Sequence, residues 1–172
     1  PFIKLRGLDP APGPEMKSTG EVFGSDIRAD LAYLKARLAT EIPVATEGGA
    51  YLTVREEDKA ALVPIAQSLI DINFTIFATP GTADVLRKAN IPVTTSYRIA
   101  ERMHPDSLDL MRKGDVNFIV NVPTISGGAV RDGNMMRRLA VELNIPFVTT
   151  MRGAVMEVAA MKARLENNLE PR

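Results

Sequence analysis

From Ala50 onward, short runs rich in apolar and β-branched residues alternate with stretches of helical periodicity, and no junction carries hairpin chemistry. The runs fall at 51–54, 74–78, 93–96, 118–122 and 147–150, and the helical patterns at 58–72, 82–89, 107–113, 132–143 and 154–165. A strand that leads through a helix to the next strand re-enters the sheet in the same direction, which makes the strands parallel and the crossovers right-handed. The expected fold class is α/β: a three-layer open sandwich, Rossmann-like, with a mostly parallel five-stranded sheet between two helical layers. A chain of 172 residues with 45% hydrophobic content is long enough to close one such core.

The segment ahead of this pattern differs in character. Residues 1–25 hold four of the twelve prolines and four of the twelve glycines, with no apolar periodicity, and cannot fold alone. Residues 26–49 read as a helix and linker: Asp26 as N-cap, Ile27, Leu31, Leu34 and Leu38 as one apolar stripe, then a link through Pro43 and Gly48-Gly49. Residues 50–172 form the α/β unit.

Twenty-one basic residues against twenty-one acidic ones leave no net charge, which removes the broad basic footprint of a nucleic-acid or anionic-membrane binder. Any anion site must be local. The chain has no cysteine, and its one histidine, His104, precedes Pro105 without a second His or a Cys in support, so no metal site is expected and His104 reads as a surface residue. No apolar stretch spans a bilayer and no secretory order opens the sequence, so the expectation is a soluble, cytoplasmic protein. Asn73-Phe74-Thr75 fits a glycosylation acceptor but lies in an expected strand. Gly13 to Thr19 lacks the glycine before the lysine that a phosphate loop needs. Arg137 and Arg138 read as solvated charges beside Asp132 and Glu142, and Met135, Met136, Met156 and Met161 as core.

In open parallel sheets, ligands bind beyond the carboxyl ends of the strands. The residues that follow the five expected strands are Arg55, Glu56 and Lys59; Thr79, Gly81 and Thr82; Tyr97 and Arg98; Asn121, Pro123, Thr124 and Ser126 to Gly128; and Met151 and Arg152. Cations, hydroxyls and amides dominate. At Phe77-Ala78-Thr79-Pro80-Gly81-Thr82 an apolar run gives way to a helix, and a helix start presents unpaired N–H groups at the positive end of its dipole. A small anion there is gripped by Thr79 and Thr82 and neutralised by Lys59 and Arg98, with Asn121 offering a donor and an acceptor. The plainer alternative is that the two threonines only cap the helix.

The run "PFIKLRGLDPAPGPEMKSTGEVFG" at 1–24 resembles the end of the second ATP-grasp half of carbamoyl-phosphate synthase large subunits. "LTVREEDK", "FATPGTADVL", "MRKGDVNFIVN" and "MRRLAVELNIPFVTT" follow in the order of that family's C-terminal regulatory domain, which has the methylglyoxal-synthase-like fold. The resemblance implies a non-catalytic module that binds an effector such as UMP, IMP or N-acetylglutamate. On this chain the effector-binding set is Lys59, Thr79, Gly81, Thr82, Arg98, Asn121 and Thr124. Val122-Pro123-Thr124 departs from the consecutive threonines of nucleotide-regulated members. The resemblance also implies a parent enzyme making carbamoyl phosphate from bicarbonate, ATP with Mg or Mn, and ammonia from a glutaminase small subunit, feeding pyrimidine and arginine synthesis. None of that chemistry, and no cofactor, is expected within these residues.

The same fold includes methylglyoxal synthase, so a free-standing phospho-ligand lyase is the alternative. That reaction moves protons with carboxylates and histidines. The resemblance sets the catalytic aspartates at His104 and Val122 and the histidines at Arg55 and Arg131, where the required groups are missing.

Overall fold

The computed structural model describes residues 22–123 and 128–167. Five parallel strands, β1 (Gly48–Thr53), β2 (Phe74–Ala78), β3 (Thr94–Thr95), β4 (Phe118–Asn121) and β5 (Phe147–Val148), form one sheet in the order β3-β2-β1-β4-β5. Six helices complete the chain: α1 (Ala29–Leu38), α2 (Lys59–Ile70), α3 (Pro80–Lys88), α4 (Ser107–Lys113), α5 (Gly128–Glu142) and α6 (Met151–Asn167). Sheet and layers are those expected. Among the described residues no helix is long and apolar enough to cross a membrane.

Alternation along the central strands distributes the core. Ala50 and Leu52 of β1, with Phe118 and Val120 of β4, pack beneath Leu62, Leu69, Leu86, Val158 and Met161 of α2, α3 and α6. Tyr51 and Ile119, one residue out of phase, face Leu108, Met111, Met136 and Ala140 of α4 and α5. Burial on both faces explains why β1 reads as a nearly continuous buried run.

Several boundaries differ from the sequence expectation. Gly48-Gly49 is the start of β1, not part of a link, because backbone crowds it: a Cβ on Gly49 would stand 1.9 Å from the Asp115 carbonyl oxygen. Gly49 N–H donates to Asn117 Oδ1 at 3.0 Å, and Asn117 N–H returns a bond to Gly49 O at 2.7 Å. The edge strands β3 and β5 shrink to two residues each, as expected of strands with a single pairing neighbour. α3, α5 and α6 all begin earlier than the apolar pattern does, at Pro80, Gly128 and Met151.

Asp26 is not the N-cap of α1. The helix starts at Ala29 behind Arg28, whose backbone N–H donates to Asp26 Oδ1 at 3.1 Å, while Ile27 is fully exposed and leaves the apolar stripe. Leu34 is buried in the core, with Leu31 and Leu38 against it. Met136 and Met161 are core residues as expected, whereas Met135 is exposed.

α1 is tied to α6 by a buried charge. Glu157 is 1% exposed, accepts from Arg37 Nε at 3.0 and 2.9 Å, and accepts from the Tyr33 hydroxyl at 2.8 Å. Burial, and the carboxylate beside it, push the Tyr33 phenol up. Removing one partner of such a pair strands the other charge in the interior. Arg37→Ala is expected to cost about 3–5 kcal/mol in urea unfolding; a loss below about 1 kcal/mol would show that the ion pair does not hold α1.

Candidate functional site

Chain direction on the sheet opens the site. From β1 the chain steps outward to β2 and β3, then crosses back to place β4 on the other flank of β1, so the loops after β1 and β4 diverge. A cleft of about 490 Å³ lies there, and Lys59, Thr79, Gly81, Thr82, Arg98 and Asn121 all line it. Thr124 lies outside the described residues. The segment after β5 is not part of the lining among the described residues: Met151 opens α6, Arg152 is exposed and neither lines the cleft, so four strand ends, not five, build it.

Two helix starts meet at one end of it. After β1 a short 3-10 turn, Glu56–Asp58, sets Lys59 as the first residue of α2. After β2, Thr79 precedes α3 in an extended conformation, and Pro80 supplies a fixed φ and no N–H at the first helical position. Thr79 O accepts from the N–H groups of Thr82 at 3.0 Å and Ala83 at 2.8 Å, while the Gly81 N–H has no partner among the described residues. The threonines do not cap by side chain: Thr79 Oγ1 donates to Thr82 Oγ1 at 3.3 Å. Both hydroxyls stay at the cleft, contrary to the capping alternative.

Lys59 reaches the same point. Its ammonium pairs with Glu56 Oε2 and stands so close to Gly81 that a Cβ there would lie 2.8 Å from Nζ. The Lys59 side chain is only 14% exposed, against 83% for Glu56, so a largely buried cation is balanced by a carboxylate that stands in water. Arg98 stands on the rim at the start of a 3-10 turn, Ile99–Glu101, that is pinned by Ala100 N–H donating to Asp132 Oδ2 at 3.3 Å. Tyr51 makes the floor. Its hydroxyl meets Ser96 Oγ at 2.8 Å, and burial pushes the phenol up to about 12, which keeps it a neutral donor.

Asn121 ends β4 opposite Thr53 of β1. Its Oδ1 accepts from Nη1 of Arg137, which is 2% exposed and not the solvated charge expected from the sequence. The signal was present: Gly133, Met136, Arg137 and Ala140 recur at three- and four-residue spacing on α5, and all are buried. A charge on an apolar stripe points to a buried partner.

His104 lies apart from this cleft, exposed, with Nδ1 at 2.5 Å from Asp109 Oδ2. His104, Asp106 and Asp109 bring ligand-type atoms within 4.8 Å of one another, but Asp106 Oδ1 already accepts from the N–H groups of Leu108 and Asp109. Asp109 Oδ2 likewise accepts from Asp106 N–H.

Residues 61–149 match the family described as MGS-like domain. This chain belongs to the MGS-like domain family. The MGS-like domain here also aligns with the C-terminal part of carbamoyl phosphate synthase large chains. It is 44% identical over 164 residues to the "Carbamoyl phosphate synthase large chain, C-terminal section" of Methanocaldococcus jannaschii, covering 95% of this chain and 26% of that protein. The corresponding section from Methanopyrus kandleri is 41% identical, covering 94% and 30%. The large chain of Methanosarcina barkeri is 39% identical, covering 94% and 40%. The chain thus spans well under half of these relatives.

Asp109 holds His104 in its charged form, by hydrogen bond first and charge second, so the imidazole gives up its proton only above its ordinary range. A proton NMR titration should put the His104 midpoint above 6.5, and Asp109→Asn should lower it. A midpoint unmoved by that substitution would contradict the pairing.

Proposed function

We propose that this MGS-like domain is the regulatory module of a carbamoyl phosphate synthase large chain and binds a small phosphorylated or carboxylated effector, such as UMP, IMP or N-acetylglutamate. One observation carries the reading: the Lys59 ammonium, the unpaired Gly81 N–H and the hydroxyls of Thr79 and Thr82 meet at the first turn of α3, inside a cleft that also contains Arg98 and Asn121. An anion entering this corner replaces Glu56 as the partner of Lys59. It gains the positive end of the helix and two hydroxyl donors without a change in the sheet. The resemblance adds Thr124 to the set.

In a whole synthase, the ATP-grasp remainder of the large chain and the glutaminase small subunit would be the partners, ATP with Mg or Mn would bind there, and the setting would be the cytoplasm. Residues 1–25 would be the tail of the ATP-grasp half and 26–49 the helix and linker that pass the effector's presence on. The Arg37–Glu157 pair between α1 and α6 gives that relay a stiff joint.

The lyase alternative has little to work with. Val122, at the place where the resemblance sets a catalytic aspartate, lines the cleft and cannot take a proton. Asp132 lines it too, but accepts from a backbone N–H.

Calorimetric titration with UMP, IMP, N-acetylglutamate and ornithine tests the reading. One ligand should bind, about tenfold or more weaker in Lys59→Ala and about two- to tenfold weaker in Thr79→Ala. Absence of binding by all four would end the effector reading, and formation of methylglyoxal from dihydroxyacetone phosphate would establish the lyase instead.

A further inference from the structure

Arg137 is the largest fully buried side chain of the described protein, and it lies where α5 crosses the end of β4. Its Nη1 donates to Asn121 Oδ1. Gly133 makes room for the contact: a Cβ there would stand 2.8 Å from Arg137 Nη1 and 3.1 Å from Asn121 Oδ1. A guanidinium has donors only, so the amide turned toward it must present its oxygen. The other half of the Asn121 amide is then committed as well. Nδ2 has no hydrogen-bond partner among the described residues, and none of their enclosed side-chain nitrogens or oxygens is left unpaired; Nδ2 therefore opens onto the cleft that Asn121 lines.

The sheet sets how far this donor lies from the anion corner. Asn121 pairs with Thr53 on one flank of β1, and Ala78, just before Thr79, pairs with Leu52 on the other. Two strand spacings separate them, roughly 10 Å.

We propose that Arg137 is a positioning residue that sets the hydrogen-bond polarity of the cleft: by holding the Asn121 carbonyl oxygen toward α5 it turns the amide NH2, a donor, toward the ligand. The ligand is then an acid whose far end, roughly 10 Å from its anionic head, presents an oxygen acceptor. Among nucleoside monophosphates this selects an oxo base over its amino counterpart, which would set donor against donor. The proposal rests on the effector reading and adds a selectivity that an anion site alone does not have.

The test is calorimetry on the whole chain with the matched pairs UMP and CMP, and IMP and AMP. The oxo member of at least one pair should bind about tenfold or more tighter than its amino partner. Arg137→Met, checked for folding by circular dichroism, should bring that ratio toward one while binding still depends on Lys59. Arg137→Lys, which keeps a charged donor, should restore part of the preference. A merely structural Arg137 would weaken both members of a pair alike. Where Arg137→Met does not fold, the wild-type ratio and Arg137→Lys still decide. Equal affinity within both pairs, or a ratio unchanged in folded Arg137→Met, overturns the proposal while leaving the effector reading intact. Binding by none of the four nucleotides also overturns it, and N-acetylglutamate then decides separately whether the effector reading survives.

Discussion

Everything around the cleft depends on β1 lying between two parallel neighbours. A strand buried on both faces and paired on both edges cannot shift register without displacing two helical layers, so its carboxyl end is a fixed platform. On one flank the chain leaves β1 through α2 to β2, and on the other it arrives at β4 only after crossing the sheet. That reversal holds open a space no side chain has to carve. Lys59, Thr79 and Asn121 reach it because they sit one to six residues beyond, or at, the last paired residues of β1, β2 and β4.

Charge in the cleft is unequally exposed. Lys59 is largely buried and Glu56 almost fully exposed, so their pair joins a cation that cannot leave to an anion that can. A ligand anion entering beside Gly81 meets a corner with the positive end of α3, two hydroxyls and a cation already in place, and little has to be reordered to receive it. At the other side, buried Arg137 donates to Asn121 Oδ1 and fixes which way that amide is turned. Tyr51, kept protonated by burial, adds a floor that repels no anion.

The sequence disclosed most where local pattern and tertiary role coincide. β1 and β4 are buried on both faces and read as apolar runs, and β2 buries Phe74, Ile76 and Ala78 on one face; α2 and α3 follow with the spacing of helices laid on a sheet. The ends of these strands, with the turn after β3 that carries Arg98, bring the six described candidate residues to one cleft, so its lining was legible from strand order and the rule for parallel sheets. Legibility failed where packing overrode pattern. Gly48 and Gly49 look like a linker because glycine is a poor strand former, yet Gly48 holds a positive φ against Asn117 and only glycine fits at 49 against the Asp115 carbonyl. Asp26 has the chemistry of a cap, but the helix starts three residues later. Arg137 reads as a solvated charge beside Asp132 and Glu142, although its position on the apolar stripe of α5 assigns it to the interior. The loop after β5 reads as part of the rim because nothing in its residues reveals that they stay out of the lining.

The central claim is that an acid is held at the first turn of α3 and not merely somewhere on a neutral surface. The most direct measurement is the perturbation of backbone amide signals in nitrogen-proton correlation spectra as UMP or N-acetylglutamate is added. The account predicts that Gly81, Thr82 and Ala83 shift most, with the Asn121 side-chain amide moving alongside them. Saturable shifts that leave those residues untouched and gather on another face of the molecule would contradict it.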